Sequence, residues 1–143
     1  LIIMEKVIKL ERTLVIVKPD GLERGLVGEI ISRYERKNLK IVYCKMTRAD
    51  EEILSRHYSE HVGKDFYERL IGYMQRGEIL VMVLEGENAI EAVRKINGKT
   101  GPLEAENGSI RGDYAFIKEE NLVHASDSKE SAEREIEIWT GEI

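Results

Sequence analysis

The sequence predicts an α+β fold of the ferredoxin-like (split βαβ) class, with a four-stranded antiparallel sheet and helices packed on it. The length of 143 residues suits one hydrophobic core, so residues 1–143 are expected to form a single domain. Strand-like segments are separated by segments with helical periodicity, in the order β-α-β-α-α-β-α-loop-β-α. A doubly wound parallel sheet is the alternative, although four strands are few for that class.

The predicted strands are the segments richest in β-branched and aliphatic residues. Residues 13–17 (TLVIV) and 79–84 (ILVMVL) are unbroken apolar runs, which predicts strands that are buried on both faces. Residues 39–47 (LKIVYCKMT) and 121–125 (NLVHA) are more mixed and supply the other two strands. Cys44, the single cysteine, lies in the apolar run 41–44 (IVYC), and we expect it to be a buried thiol in a reducing compartment.

Apolar residues recur at helical spacing in five further segments. Their expected first residues or N-caps are Val27, Asp50, Asp65, Asn88 and Asp127. Asp127 is followed three positions later by Glu130, which is the spacing of a capping box. Residues 99–120 contain no element of comparable strength, and a loop of that length in a compact domain is usually functional.

The charge balance restricts the possible ligands. Lys and Arg total 22 against 27 Asp and Glu, a net charge of −5, which argues against broad binding to nucleic acid or to a membrane surface. A polyanion must therefore be bound locally. The first residues, LIIMEK, lack the basic region and long apolar stretch of a signal peptide, so we expect a cytoplasmic location.

Two histidines form a candidate metal motif. Residues 57–61 (HYSEH) match the H-x-x-E-H pattern of inverted zinc proteases, in which the two imidazoles lie on one face of a helix. Zinc would also require a third protein ligand from elsewhere in the chain. A zinc hydrolase that uses His57 and His61 is therefore a distant alternative.

His124 lies between the last predicted strand and the last predicted helix. A side chain at that junction faces the free N–H groups of a helix N-terminus, which favour an anion. An imidazole there attacks a phosphorus atom when an acceptor on its other ring nitrogen fixes the tautomer. Glu135, on the same helix, is placed to turn inward toward the sheet. His124 is thus a candidate nucleophile, with a structural histidine as the alternative.

Residues 121–128 (NLVHASDS) resemble the active-site signature N-x-x-H-[GA]-S-D of nucleoside diphosphate kinases. Further blocks at 11–31, 110–114 and 131–136 resemble that family in the same order and register. The resemblance implies transfer of the γ-phosphate of a nucleoside triphosphate, typically ATP, to a nucleoside diphosphate. It further implies a ping-pong mechanism through a phosphohistidine. A nucleotide-binding regulatory module without turnover is the alternative.

The resemblance also implies a role for each matching residue. His124 is the nucleophile, Glu135 holds its other ring nitrogen, Ser126 steadies Glu135, and Tyr58 lies beside the transferred phosphate. The implied nucleotide contacts are Lys18, Phe66, Arg94, Thr100, Arg111 and Asn121, of which Phe66 stacks on the base. The family implies Mg²⁺ carried by the nucleotide phosphates, without direct protein ligands. It also implies a homo-oligomer, for which a hexamer is expected and a tetramer or dimer is the alternative.

Overall fold

Four strands form one sheet in a computed structural model that describes residues 10–141. They are β1 (Leu10–Val17), β2 (Lys40–Thr47), β3 (Ile79–Glu87) and β4 (Val123–Ala125). Their order across the sheet is β2-β3-β1-β4, and every neighbouring pair is antiparallel. This topology confirms the ferredoxin-like prediction, and the parallel alternative is wrong. The expectation about residues 1–6 lies outside the described residues.

The helices occupy the segments that connect and follow the strands. They are α1 (Pro19–Glu23), α2 (Val27–Arg36), α3 (Glu51–His57), α4 (Tyr67–Met74), α5 (Ala89–Asn97), α6 (Ile110–Tyr114) and α7 (Lys129–Thr140), with a 3₁₀ turn at Ser59–His61. In the described part of the chain, none of these helices is both long and apolar enough to span a bilayer.

Helices cover both faces of the sheet, as the apolar run at 13–17 predicts. Side chains alternate along β1, so Leu14 and Ile16 pack with α3, α4 and α7. Val15 and Val17 point the other way and pack with α2 and α5. His124 is paired with Ile16 in the ladder between β4 and β1, and paired residues point to the same face. The candidate nucleophile therefore faces α3 and α7.

Helix ends follow the predictions in part. Asp50 caps α3 as expected, since its side chain accepts a hydrogen bond from the backbone N–H of Ile53 at 2.8 Å. The cap of α7 is Ser128 rather than Asp127, because the Ser128 hydroxyl accepts the N–H of Ser131 at 3.1 Å. Asn88 precedes α5, but its left-handed backbone (φ 51°) leaves its side chain without a capping bond.

Two other local predictions were wrong. The helix expected from Asp65 begins at Tyr67, because hydrogen-bonded turns occupy the preceding residues. Cys44 is exposed because β2 lies at an edge of the sheet that the described strands form. The segment 99–120 contains the short helix α6, which Ser109 caps by accepting the N–H of Gly112.

Candidate functional site

A cavity of about 390 Å³ lies where the ends of β1 and β4 meet α5 and α7. Seven of the ten predicted site residues line it: Lys18, Arg94, Thr100, Arg111, Asn121, His124 and Glu135. Three of these carry cationic side chains, although the chain as a whole is acidic. The cavity is therefore suited to a small polyanion, since binding needs positive charge only where the ligand lies.

His124 is held by a buried carboxylate. Its Nε2 lies 2.8 Å from Oε1 of Glu135, and the hydroxyl of Ser126 donates to the same oxygen at 2.8 Å. Because a carboxylate only accepts hydrogen bonds, Nε2 carries the ring proton and Nδ1 keeps its lone pair. The contact thus fixes the tautomer and leaves the lone pair of Nδ1 free of Glu135.

The electrostatics keep Glu135 ionised. Burial by itself would raise the pKa of Glu135, but the hydrogen bond from His124, the electrostatic interaction with the His124 and His57 rings and the bond from Ser126 together lower it. The side chain is almost fully buried, so its hydrogen bonds are shielded from competing water. An ionised Glu135 favours positive charge on the neighbouring His124 ring.

His57 packs against the ring of His124, with the centroids 4.6 Å apart and the planes at 78°. The Nδ1 atom of His57 accepts a hydrogen bond of 3.0 Å from Nε1–H of Trp139. Burial, and then the proximity of His124, lower the pKa of His57 to about 3, so this imidazole is neutral at physiological pH. Neither His57 nor Trp139 was assigned a role at this site from the sequence resemblance.

The H-x-x-E-H hypothesis is wrong in its geometry. Helix α3 ends at His57, and His61 lies in the 3₁₀ turn that follows, so the two imidazoles do not occupy successive turns of one helix. Within the described residues, the cluster that brings His57 near other metal-binding side chains contains His124 and Glu135 instead. Tertiary contacts, and not the motif spacing, determine the neighbours of His57.

Lys18 and Asn121 lie side by side in the cavity. The Lys18 ammonium group donates to Oδ1 of Asn121 at 2.8 Å. Burial of the ammonium group, followed by the nearby charge of Arg111, lowers the pKa of Lys18 to about 8. Lys18 is therefore charged at neutral pH but loses its proton in the mildly alkaline range.

Arg111 is buried and anchored by three backbone carbonyl groups. It donates to the carbonyl oxygens of Asn121 at 3.2 Å, Gly98 at 2.8 Å and Val123 at 2.5 Å. Burial lowers the pKa of Arg111, but a guanidinium group stays charged in proteins. Because the group has five N–H bonds, donors remain for a ligand in the cavity.

A strained turn connects Asn121 to β4. Leu122 has φ 73°, and the N–H of Val123 donates to the carbonyl of Asn121 at 2.8 Å, which closes a γ-turn. The carbonyl of Leu122 accepts a hydrogen bond from the backbone N–H of Lys18. The N–H of Leu122 donates to a carboxylate oxygen of Asp20. These bonds hold the unfavourable backbone in place. No sequence signal marks it, since leucine does not favour positive φ.

Three predicted site residues do not line the cavity. Ser126 lies behind Glu135, to which it is bonded. Tyr58 and Phe66 flank His61, which does line the cavity, with ring centroids 6.0 Å and 5.1 Å from it. Burial raises the pKa of Tyr58, so its hydroxyl stays protonated. Phe66 is 40% exposed.

Comparisons with known proteins point to one family. Residues 11–142 match the family model described as nucleoside diphosphate kinase. The nucleoside diphosphate kinase of Methanocaldococcus jannaschii is 57% identical over 129 residues, which cover 90% of this chain and 92% of that protein. The enzyme of Pyrococcus furiosus is 54% identical over 134 residues, 92% of this chain and 83% of that protein.

A solved structure shows the same fold. The halophilic nucleoside diphosphate kinase from Halobacterium salinarum, determined in complex with CDP, superposes with a TM-score of 0.90 at 43% identity. The match covers 94% of this chain and 90% of that one. Both the sequence and the fold of this chain therefore match nucleoside diphosphate kinases over nearly its whole length.

Proposed function

Since the chain belongs to the nucleoside diphosphate kinase family and is a phosphotransferase, we propose that it works by a ping-pong mechanism through a phosphohistidine on His124. The observation that carries this proposal is the 2.8 Å contact between Nε2 of His124 and Glu135. This contact leaves Nδ1 with a free lone pair beside a cavity lined by cationic groups.

In the first half-reaction the Nδ1 lone pair attacks the γ-phosphorus of a nucleoside triphosphate. A bond forms between Nδ1 and phosphorus while the bond from phosphorus to the bridging oxygen breaks, and the nucleoside diphosphate leaves with that electron pair. Positive charge develops on the ring, whose Nε2–H donates to the Glu135 carboxylate. In the second half-reaction an acceptor diphosphate attacks the same phosphorus, and the lone pair returns to Nδ1.

The remaining predicted residues supply positioning and charge. Phosphoryl transfer depends mainly on positioning and electrostatic stabilisation. The residues proposed to contact the phosphates for this purpose are Lys18, Arg94, Thr100 and Arg111. Asn121 and Lys18 are proposed to hold the sugar hydroxyls. Tyr58 is proposed to lie beside the transferred phosphate. Phe66 is proposed to stack on the base, and because every base has a π-face, stacking accepts any of them.

The family to which the chain belongs implies a divalent metal, and we propose Mg²⁺ bound to the nucleotide phosphates. Among the described residues, the His, Cys, Asp and Glu cluster that could hold an ion consists of two imidazoles and one carboxylate. Mg²⁺ prefers oxygen ligands and retains several waters, so that cluster does not suit it. The ion supplies charge neutralisation on the phosphates as part of the substrate.

The wider context of the protein is also a proposal. We propose that residues 1–143 form one domain and that the protein is a cytoplasmic homo-oligomer, most simply a hexamer. The net charge of −5 supports nucleotides as its ligands in preference to nucleic acid or membranes. A binding module without turnover would not need an ionised carboxylate fixed on Nε2 of His124.

The test is to incubate the pure protein with γ-labelled ATP in the absence of an acceptor. We expect label that is stable in base and labile in acid, located on His124 and discharged by any added nucleoside diphosphate. Steady-state kinetics with varied donor and acceptor should give parallel double-reciprocal lines. Turnover without labelled protein would contradict the covalent mechanism, and an unlabelled protein without turnover would favour the regulatory module.

A further inference from the structure

The proposed nucleophile and two neighbouring side chains have the donor set of a transition-metal site. One ligand atom each from His57, His124 and Glu135 lie within 4.8 Å of one another. Two imidazoles and a carboxylate are a common set of zinc ligands, at bond lengths of about 2.0–2.2 Å. A metal bound by His124 and Glu135 would compete with the 2.8 Å contact between Nε2 of His124 and Oε1 of Glu135, which fixes the tautomer of the proposed nucleophile.

The hydrogen bonds around His57 have the opposite polarity from those of a metal ligand. A histidine that binds a metal presents one nitrogen lone pair and donates its other ring N–H to an acceptor. Nδ1 of His57 instead accepts an N–H, because the indole of Trp139 has no acceptor to offer. A neutral imidazole that accepts at Nδ1 carries its hydrogen on Nε2. Neither nitrogen of His57 therefore has a free lone pair.

We propose that Trp139 fixes the tautomer of His57 and thereby keeps the His57–His124–Glu135 cluster from binding Zn²⁺ or a similar transition-metal ion. The Trp139 hydrogen bond is buried, where an indole N–H left without a partner is costly. Binding of a metal by His57 would require either rupture of this bond or removal of the Nε2 hydrogen. The cluster is left with Nδ1 of His124 as its one free imidazole lone pair.

The experiment measures Zn²⁺ binding directly, by calorimetric titration of the nucleotide-free protein with ZnCl₂ after treatment with a chelator. For Trp139→Phe we expect at least tenfold tighter binding than for the native protein, which is the usual scale of effects from the hydrogen-bond partners of metal ligands. Tetrahedral Co²⁺ absorption should appear in the variant at concentrations that leave the native protein unchanged. Equal affinities of the two proteins would overturn the proposal.

A second replacement removes the N–H group with little change of shape. Trp139 is the only tryptophan, so biosynthetic substitution of tryptophan by 3-benzothienylalanine alters this position alone. The expected gain in Zn²⁺ affinity is the same as for Trp139→Phe, and thermal unfolding monitors the fold of each protein. An unchanged affinity in the folded analogue protein would overturn the proposal even if Trp139→Phe failed to fold.

The matched control is the double variant Trp139→Phe/His57→Phe, which lacks the released ligand. Its Zn²⁺ affinity should return to that of the native protein, and a gain that persisted would show that the metal uses other residues, against the proposal. The predicted Zn²⁺ binding does not depend on the proposed role of His124. Only its biological consequence rests on that proposed function. Because metal binding is measured without nucleotide, its failure is distinguishable from failure of the phosphohistidine mechanism.

Discussion

The two sides of the cavity are built differently. On one side, which we call the β4–α7 corner (His124, Ser126 and Glu135), each polar side chain has a hydrogen-bond partner, and Ser126 and Glu135 are buried. On the other side, the α3–α4 segment (residues 58–66) consists of turns, and Val62 and Phe66 are 55% and 40% exposed. Bond formation requires one lone pair in a fixed direction, whereas a surface that stacks on any base requires little precision.

The largest expected effect is on His124, the proposed nucleophile in the β4–α7 corner. His124→Ala should reduce phosphate transfer to background, a loss of at least about 10⁴-fold, because no other group replaces the covalent intermediate. Nucleotide binding, measured by calorimetry, should persist. His61→Ala is the matched control, since His61 lines the same cavity but is expected to leave the protein capable of labelling. Substantial transfer by His124→Ala would refute the covalent mechanism.

The next effect concerns the direction of the lone pair. Glu135→Gln should lower kcat by about 10²- to 10³-fold, because the amide donates as well as accepts and no longer holds the proton on Nε2. Ser126→Ala removes one of the hydrogen bonds to the same oxygen and should cost less. Single-turnover labelling rates compare the three proteins, and an equal loss in both variants would count against the tautomer argument.

A smaller effect should follow the charge of Lys18. As pH rises through about 8, loss of this charge should weaken nucleotide binding by about tenfold, the scale of one charged hydrogen bond. Lys18→Arg should bind with a flat profile over this range, since its charge persists. Calorimetric affinities from neutral to alkaline pH provide the measurement.

The lowered pKa of Lys18 should change the stability of the fold in the opposite direction from nucleotide affinity. The pKa of Lys18 is lower in the folded protein than its ordinary value of 10.5. Between these two values the unfolded chain binds more protons, so the contribution of Lys18 to the free energy of unfolding increases with pH. As pH rises from about 8, nucleotide affinity should therefore fall while the contribution of Lys18 to the free energy of unfolding rises. If both fell together, the loss of binding would come from unfolding.

The smallest effect is expected in the α3–α4 segment. Phe66→Ala should raise KM by about fivefold, equivalent to roughly 1 kcal/mol of stacking, and by a similar factor for each of the four bases. Phe116→Ala is the matched control, because Phe116 is the other phenylalanine and is 83% exposed. An effect on one base only would contradict the idea of an unselective stacking surface.

The sequence predicts best what depends on local pattern. The apolar run at 13–17 indicates a central strand, and the junction before Asp127 marks His124 as a candidate nucleophile. Helix α6 was not predicted because five residues are too few for a periodicity. By helical pattern alone, Tyr58 and Phe66 would be predicted to be ordinary packing residues. Only the family resemblance identifies them as site residues.

Features that arise from tertiary packing could not be predicted. Trp139 and His57 are 82 positions apart, and Trp139 looks like a core residue of an amphipathic helix. Leu122 has a positive φ because neighbouring backbone and carboxylate groups hold it, and its side chain gives no sign of this. The contact with Trp139 determines which nitrogen of His57 carries the proton, and the turn at Leu122 leads into β4, which carries His124.

The most direct test of this account is to identify which nitrogen of His124 carries the phosphate. Alkaline hydrolysis of the phosphorylated protein, followed by separation of the phosphohistidine isomers against synthetic standards, distinguishes the two. Because Nε2 is bonded to Glu135, the structure predicts Nδ1-phosphohistidine as the only isomer formed initially. Phosphate found first on Nε2 would contradict the account, since that nitrogen would then have to be free and Glu135 could not have fixed the tautomer.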